Sequence, residues 1–152
     1  MAFKDLIVKG GLIKERQIGF DQVERYLKRA RKDLSTARKI LKIDTPAALD
    51  LIYKAMFHSA NGLIRFYGLR PGRISQHKAV VEAVGRVLGK PADILVLKFD
   101  KLRQKRNYFE YGAGFRSSKE EVKSSLGFAR KFLQLVEEHI QKKNPQKKLF
   151  ER

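Results

Sequence analysis

The chain contains no cysteine. Disulfide staples, thiolate zinc sites, iron–sulfur clusters and cysteine nucleophiles are therefore excluded, and any chemistry rests on other side chains. Long apolar runs are missing as well. Every hydrophobic stretch is broken by Lys, Asp, Arg or Gly well short of the ~20 residues a membrane-spanning helix needs. The opening residues, Met1 to Gly10, place Lys4 and Asp5 where a signal peptide would carry its apolar stretch, so a cytoplasmic location without membrane insertion is expected.

Acidic residues are scarce. Sixteen Asp and Glu stand against 34 Lys and Arg, a formal charge of +18 and a pI near 10.3, which is more than solubility requires. Such a field attracts polyanions. RNA or DNA phosphates come first, through counterion release, followed by acidic membrane surfaces and acidic protein partners. Enzyme signatures that depend on spacing are absent too: no Gly-rich phosphate loop ending in Lys-Ser/Thr, no His-Glu-x-x-His pair and no dinucleotide fingerprint. His58, His77 and His139 fall on three separate predicted helices with no acid at ligand spacing, so no metal and no cofactor are expected.

What is present is helical periodicity. A chain of 152 residues suits one self-sufficient core, burying roughly two thirds of its unfolded surface. Residues 1–18 read as a short helix or arm, joined flexibly through Gly10-Gly11. From Asp21, apolar positions Val23, Leu27, Ala30, Leu34, Ala37 and Leu41 recur in steps of four and three, the mark of a helix with one buried seam. Its polar face carries Arg25, Lys28, Arg29, Arg31, Lys32, Arg38, Lys39 and Lys42 against Glu24 and Asp33.

Thr45 as N-cap and Pro46 at the first helical position announce a second helix ending near Gly68. Its core stripe is Leu49, Ile52, Met56, Ser59 or Ala60, Leu63 and Tyr67. Beside that stripe, Lys54, His58, Asn61 and Arg65 share a narrow polar face that could line a cleft. Leu69 to Ile74 is a turn by its Pro71-Gly72 pair, and Ser75 is expected to cap a shorter helix that Gly89 stops. A fourth helix starts at Pro91 and Asp93 and ends by Gly112. Ser117 and Ser118, each three residues before Glu120 and Glu121, offer capping boxes for a fifth whose seam is Val122, Leu126, Ala129, Leu133, Val136 and Ile140. The expected fold is all-α, an antiparallel bundle of four to five helices over residues 19–143, with a basic flexible tail at 144–152. No strand-period segment of useful length is evident.

The densest constellation runs from Lys98 to Tyr111, where Lys98, Lys101, Arg103, Lys105 and Arg106 interleave with Phe99, Tyr108, Phe109 and Tyr111. Charge of this kind holds phosphates and aromatic faces can stack on bases. On a helix Arg103 and Asn107 share a face, as do Asn107 and Tyr111. An ordinary surface helix with an Arg106–Glu110 pair and buried Phe99, Leu102 and Phe109 accounts for the same spacing.

Arg106-Asn107 with Tyr111, preceded by the helix Tyr53 to Leu63 and by His77 to Glu82, and followed by a long closing helix, resembles the prokaryotic HEPN domains over roughly residues 21 to 142. The resemblance implies a helical bundle that commonly forms a homodimer. Many such domains are metal-independent ribonucleases, or toxins paired with small nucleotidyltransferases. Their signature is an arginine, usually followed by a polar residue, with a histidine four to six positions after that arginine; two copies meet at the dimer interface in a composite site. By this resemblance Arg106 contacts the phosphate and Asn107 takes the polar position.

Tyr111 stands where catalytic members have histidine. A phenol of ordinary pKa near 10 is about a thousandth ionised at pH 7, whereas an imidazole near 6.5 is poised to move protons. The expected function is therefore a nucleic-acid or nucleotide-binding module, and the resemblance implies a place in a toxin–antitoxin or nucleotidyltransferase-associated system, with Arg106, Asn107, Arg103, Lys54, His58 and Asn61 as its binding residues. The alternatives are a metal-independent endoribonuclease using Arg106 and Tyr111, and an interaction module for an acidic protein partner such as a nucleotidyltransferase.

Overall fold

The computed structural model describes residues 3–15, 18–111 and 118–144, and of residues 106–111 it describes the backbone. The elements in chain order are α1 (Lys4–Val8), β1 (Leu12–Lys14), α2 (Phe20–Ile40), α3 (Thr45–Phe66), β2 (Leu69–Pro71), α4 (Gln76–Leu88), a 3-10 turn (Lys90–Ala92), α5 (Asp93–Tyr111) and α6 (Lys119–Lys143). Among the described residues the fold is all-α apart from one two-stranded ribbon. Its core is the layer where α2, α3 and α6 pack on one another, with α4 and α5 closing one side.

The seams read from periodicity on the first and last long helices face inward, whereas on the stripe expected for α3 Tyr67 is exposed and Leu49 is half-buried. Val23, Leu27, Ala30, Leu34, Ala37 and Leu41 on the first long helix are buried, and so are Val122, Leu126, Ala129, Leu133, Val136 and Ile140 on the last. Each large aliphatic side chain removed from water this way contributes about 1.5–3 kcal/mol. The two long helices approach closely at Gly62 of α3, where an added Cβ would meet Leu27 Cδ2 at 2.9 Å. Glycine there lets α2 and α3 pack backbone against side chain.

Cap details differ from the sequence expectation at two helices. On α3 the N-cap is Asp44, one residue earlier than expected: its backbone is extended and its Oδ1 accepts from the Ala47 amide at 3.0 Å. The Thr45 hydroxyl instead donates back to the Leu41 carbonyl at 3.2 Å. A carboxylate cap of this kind contributes about 1 kcal/mol. Ser75 precedes α4 in the left-handed region (φ 48°) and makes no side-chain cap bond. Ser118 does cap α6, accepting from the Glu121 amide at 3.1 Å.

The first residues pack rather than dangle. Phe3, Leu6 and Leu12 are buried in the main core, and β1 pairs antiparallel with β2, Leu12 opposite Pro71 and Lys14 opposite Leu69. The segment read as a plain turn therefore opens with a strand. Arg86 of α4 grips Asp5 of α1 through two bonds of 2.8 and 2.7 Å, and this holds the Asp5 carboxyl well below the usual carboxylate range. Gly10, with φ 84°, and Gly72 lie so close that a Cβ on Gly72 would collide with the Gly10 carbonyl oxygen. Residues 145–152, expected to form a basic tail, lie outside the described residues.

Candidate functional site

The helix that carries Arg106, Asn107 and Tyr111 is α5, and those three residues form its last turns. Their side chains lie outside the described residues. The turns leading to them are described. Lys98, Lys101 and Lys105 of α5, with Leu102, face Glu120, Glu121, Ser124, Ser125 and Phe128 of α6 across a groove of about 540 Å³. Lys98 Nζ sits 5.0 Å from the centroid of the Phe128 ring, a cation–π contact. Lys105 pairs with Glu121 at 3.6 Å. Arg103 is drawn along its own helix, Nε donating to Asp100 Oδ1 at 2.8 Å, with Gln104 on the other carboxylate oxygen at 3.1 Å.

The polar face expected beside the core stripe of α3 exists, but it is divided among three separate tasks. Lys54 is exposed and pairs with Asp50 at 2.7 Å, one turn back. Asn61 is buried; its amide donates to the Phe57 carbonyl at 3.0 Å and its Oδ1 accepts from Arg65 at 2.6 Å. The Arg65 guanidinium lies 4.3 Å above the Tyr26 ring of α2, and burial draws its pKa below the ordinary arginine value.

His58 faces a cleft. With Gln22, Arg25, Tyr26 and Arg29 of α2 it lines a space of about 280 Å³ between α2 and α3. Its Nδ1 lies 3.0 Å from Asp33 Oδ2, and Arg29 Nε approaches the other Asp33 oxygen at 3.3 Å. Asp33 is only 4% exposed. A buried carboxylate is costly unless bonded, and here an imidazole and a guanidinium answer it. The bond to Nδ1 fixes the imidazole ring and leaves Nε2 unengaged by Asp33. Sequence reasoning counted Asp33 only as one of two acids on the polar face of α2. Its spacing carried a signal: it falls three residues after Ala30 and four before Ala37, on the seam itself.

The other histidines serve packing. His77 Nδ1 is bonded to the buried Tyr53 hydroxyl at 2.6 Å, and its ring stacks on Phe57 with centroids 4.3 Å apart. His139 Nε2 meets the Tyr67 hydroxyl at 2.6 Å. Burial, together with Lys143 and Lys142, lowers the His139 pKa, while burial raises that of Tyr67. The three histidines are thus kept apart. Among the described residues no three His, Asp or Glu side chains come together in a way that could hold a metal ion.

An all-α bundle whose grooves are edged with lysine and arginine, and whose fifth helix ends in an Arg-Asn motif, defines a class of basic helical module suited to phosphate-bearing ligands. The chain belongs to the HEPN domain family, whose pattern matches residues 23–139. That span reaches from the first buried residue of α2 to the last turns of α6. No curated protein matches the chain. HEPN domains are nucleotide- and RNA-related modules that often bind nucleic acids and dimerise. Among the described residues no helix is long and apolar enough to cross a membrane.

Proposed function

We propose that this HEPN domain binds nucleic acid or nucleotide through the end of α5, with Arg106 contacting a phosphate and Asn107 beside it, and that it works as a homodimer. The observation that carries this reading is the groove between α5 and α6. Lys98, Lys101 and Lys105 recur along one flank of α5 and lead toward Arg106, opposite the exposed edge of Phe128. Cations spaced along a groove with an aromatic face suit a phosphate backbone with a base alongside. His58, Lys54 and Arg103 are assigned supporting roles, with His58 lining an open cleft between α2 and α3, whereas Asn61, buried and bonded to Phe57 and Arg65, is left to structure.

The homodimer is supported by the surface of α5. Ile94 and Leu97 are exposed on it, at 67% and 54%, next to the lysine groove. Pairing there would take apolar area out of water and place two Arg106 motifs on one assembly. Within such a module, partnership with an acidic nucleotidyltransferase in a toxin–antitoxin pair remains a use of the same charged surface.

The test is RNA binding measured with Arg106→Ala beside Lys147→Ala. Arg106→Ala should lose at least tenfold in affinity and Lys147→Ala much less. Equal losses would reduce the attraction to diffuse charge and leave the motif structural. The same RNA incubated in EDTA tests the nuclease alternative, because that cleavage would need no metal. The binding reading expects no cleavage. Cleavage that Arg106→Ala abolishes would replace it with the ribonuclease.

A further inference from the structure

On the opposite flank of α6 lies a second basic groove. Arg31, Ser35 and Arg38 of α2 and Arg130 of α6 edge a space of about 270 Å³ floored by Leu34 and Leu133. Leu34 and Leu133 are buried, whereas Arg38 and Arg130 are exposed. Its compensation is uneven. Arg31 is gripped by Glu137, with contacts of 2.9 and 2.8 Å, and burial pushes the Glu137 carboxyl above its ordinary range against the pull of Arg31. No described carboxylate pairs with Arg38 or Arg130. Two helices thus bring three arginines to one apolar-floored space, and the Arg38 and Arg130 charges repel each other until an anion arrives.

We propose that this groove between α2 and α6 is a second phosphate site, taking internal phosphodiester groups of a nucleic-acid strand whose neighbouring nucleotides occupy the α5–α6 groove. It rests on the nucleic-acid reading given above. Three features select the ligand. All three cations are arginines, in a chain where lysines outnumber arginines, and a planar guanidinium meets phosphate oxygens with two parallel bonds where an ammonium offers a point charge. The Ser35 hydroxyl adds a donor. No aromatic ring is among the lining residues, so nothing there stacks on a base, and the contact reads the backbone alone.

The two grooves share α6. Phe128 lines one and Arg130 the other, two residues apart and therefore on opposite flanks of a helix about 10 Å across. A strand crossing α6 reaches both within a few nucleotides. The second contact then acts intramolecularly and raises affinity without any new base recognition. Only strands long enough to cross gain from it.

Fluorescence anisotropy with labelled 12-nucleotide and 3-nucleotide RNA and DNA strands tests the assignment. Arg38→Ala/Arg130→Ala should weaken the 12-mers about tenfold or more. It should also reduce the slope of log K against log salt by roughly 1.4, two contacts at ~0.7 each, and leave the 3-mers unchanged. The control is Lys39→Ala/Lys131→Ala, which removes the same charge from the next residue of each helix, both exposed. All four side chains are exposed, and circular dichroism verifies that both variants stay folded.

If the arginine and lysine pairs weaken the 12-mers alike, the groove is not a site, while the wider nucleic-acid reading stands. If wild type binds no strand, that reading itself fails and carries this one with it. Loss confined to RNA would overturn backbone-only contact in favour of recognition of the 2′-hydroxyl. Equal loss of affinity for poly-glutamate would overturn phosphate in favour of an acidic peptide.

Discussion

Asp33 shows how much one side chain can be asked to hold. It is nearly closed off from solvent, yet it carries a formal charge and sits on the seam of a helix that is otherwise apolar along that line. His58 and Arg29 make that position tolerable, from α3 and from one turn back on α2. Asp33→Asn keeps the shape and removes the charge. The expected cost is about 1–3 kcal/mol, the range for losing hydrogen bonds to a charged group, read as a shift of the urea midpoint with the m-value unchanged. An unchanged midpoint would mean that the pair contributes orientation and not stability. Spacing made the position of Asp33 legible in the sequence, but its partner was not: His58 lies 25 residues away, and only the α2–α3 crossing brings the two together.

Helix by helix, the sequence was read most reliably where burial repeats. The seams of α2 and α6 follow the 3.6-residue period from Val23 to Leu41 and from Val122 to Ile140, and the structure buries every position expected on them. The ribbon escaped notice for a plain reason. Three residues per strand cannot display a period, and Leu12–Lys14 finds its partner only because α2 and α3 return the chain to it. Gly72 makes the same point. As half of a Pro-Gly pair it reads as a turn residue, whereas in the fold it is required because the Gly10 carbonyl occupies the space of a Cβ. Gly72→Ala should cost about 1–3 kcal/mol by overpacking. Hydrogen exchange should place the damage locally, with the amides of residues 12–14 losing protection and those of α2, α3 and α6 keeping theirs.

The corner where α3 ends against α6 should respond to pH. Nε2 of His139 shares a hydrogen bond with the Tyr67 hydroxyl, and burial with Lys143 and Lys142 nearby holds the His139 pKa below its ordinary value of about 6.5. The unfolded chain therefore takes up the proton first. The contribution is fully present above pH ~6.5 and is lost as pH falls from there through the folded-state pKa. Thermal melts between pH 7.5 and 5 should show this decline, with a shallower one in His139→Gln, whose amide can accept the same bond without titrating. Parallel declines in the two proteins would assign the effect to other groups.

For the molecule as a whole, fold class followed from pattern, and family from a short motif in a particular order of helices; the binding site did not follow as directly. The row Lys54, His58, Asn61 and Arg65 shares one face of α3, as its spacing requires. One-turn pairing within α3 ties Lys54 to Asp50 and Arg65 to the buried Asn61, while the crossing with α2 sets His58 at a cleft beside Asp33. Periodicity gives a side chain's direction from its own helix and is silent on what meets it there. Net charge is the property that needed no structure. With +18 on one chain, RNA affinity should fall by three to five powers of ten between 50 and 200 mM salt if six to ten phosphates are engaged. A flat response would exclude phosphate contacts as the main source of binding.

Exposed Ile94 and Leu97 turn that charge into a question of assembly. Two copies pressed together along α5 must bring two fields of the same sign into contact, and only the apolar strip and whatever screens the charge can offset their repulsion. Added salt should therefore promote pairing while it dissociates RNA, so the two equilibria run in opposite directions along one titration. On the proposed reading RNA would act as the screen that salt only imitates, because a strand laid across both copies would neutralise them where they touch. On this account the free protein in dilute buffer is driven toward the monomer, and its polyanion is the agent that assembles it.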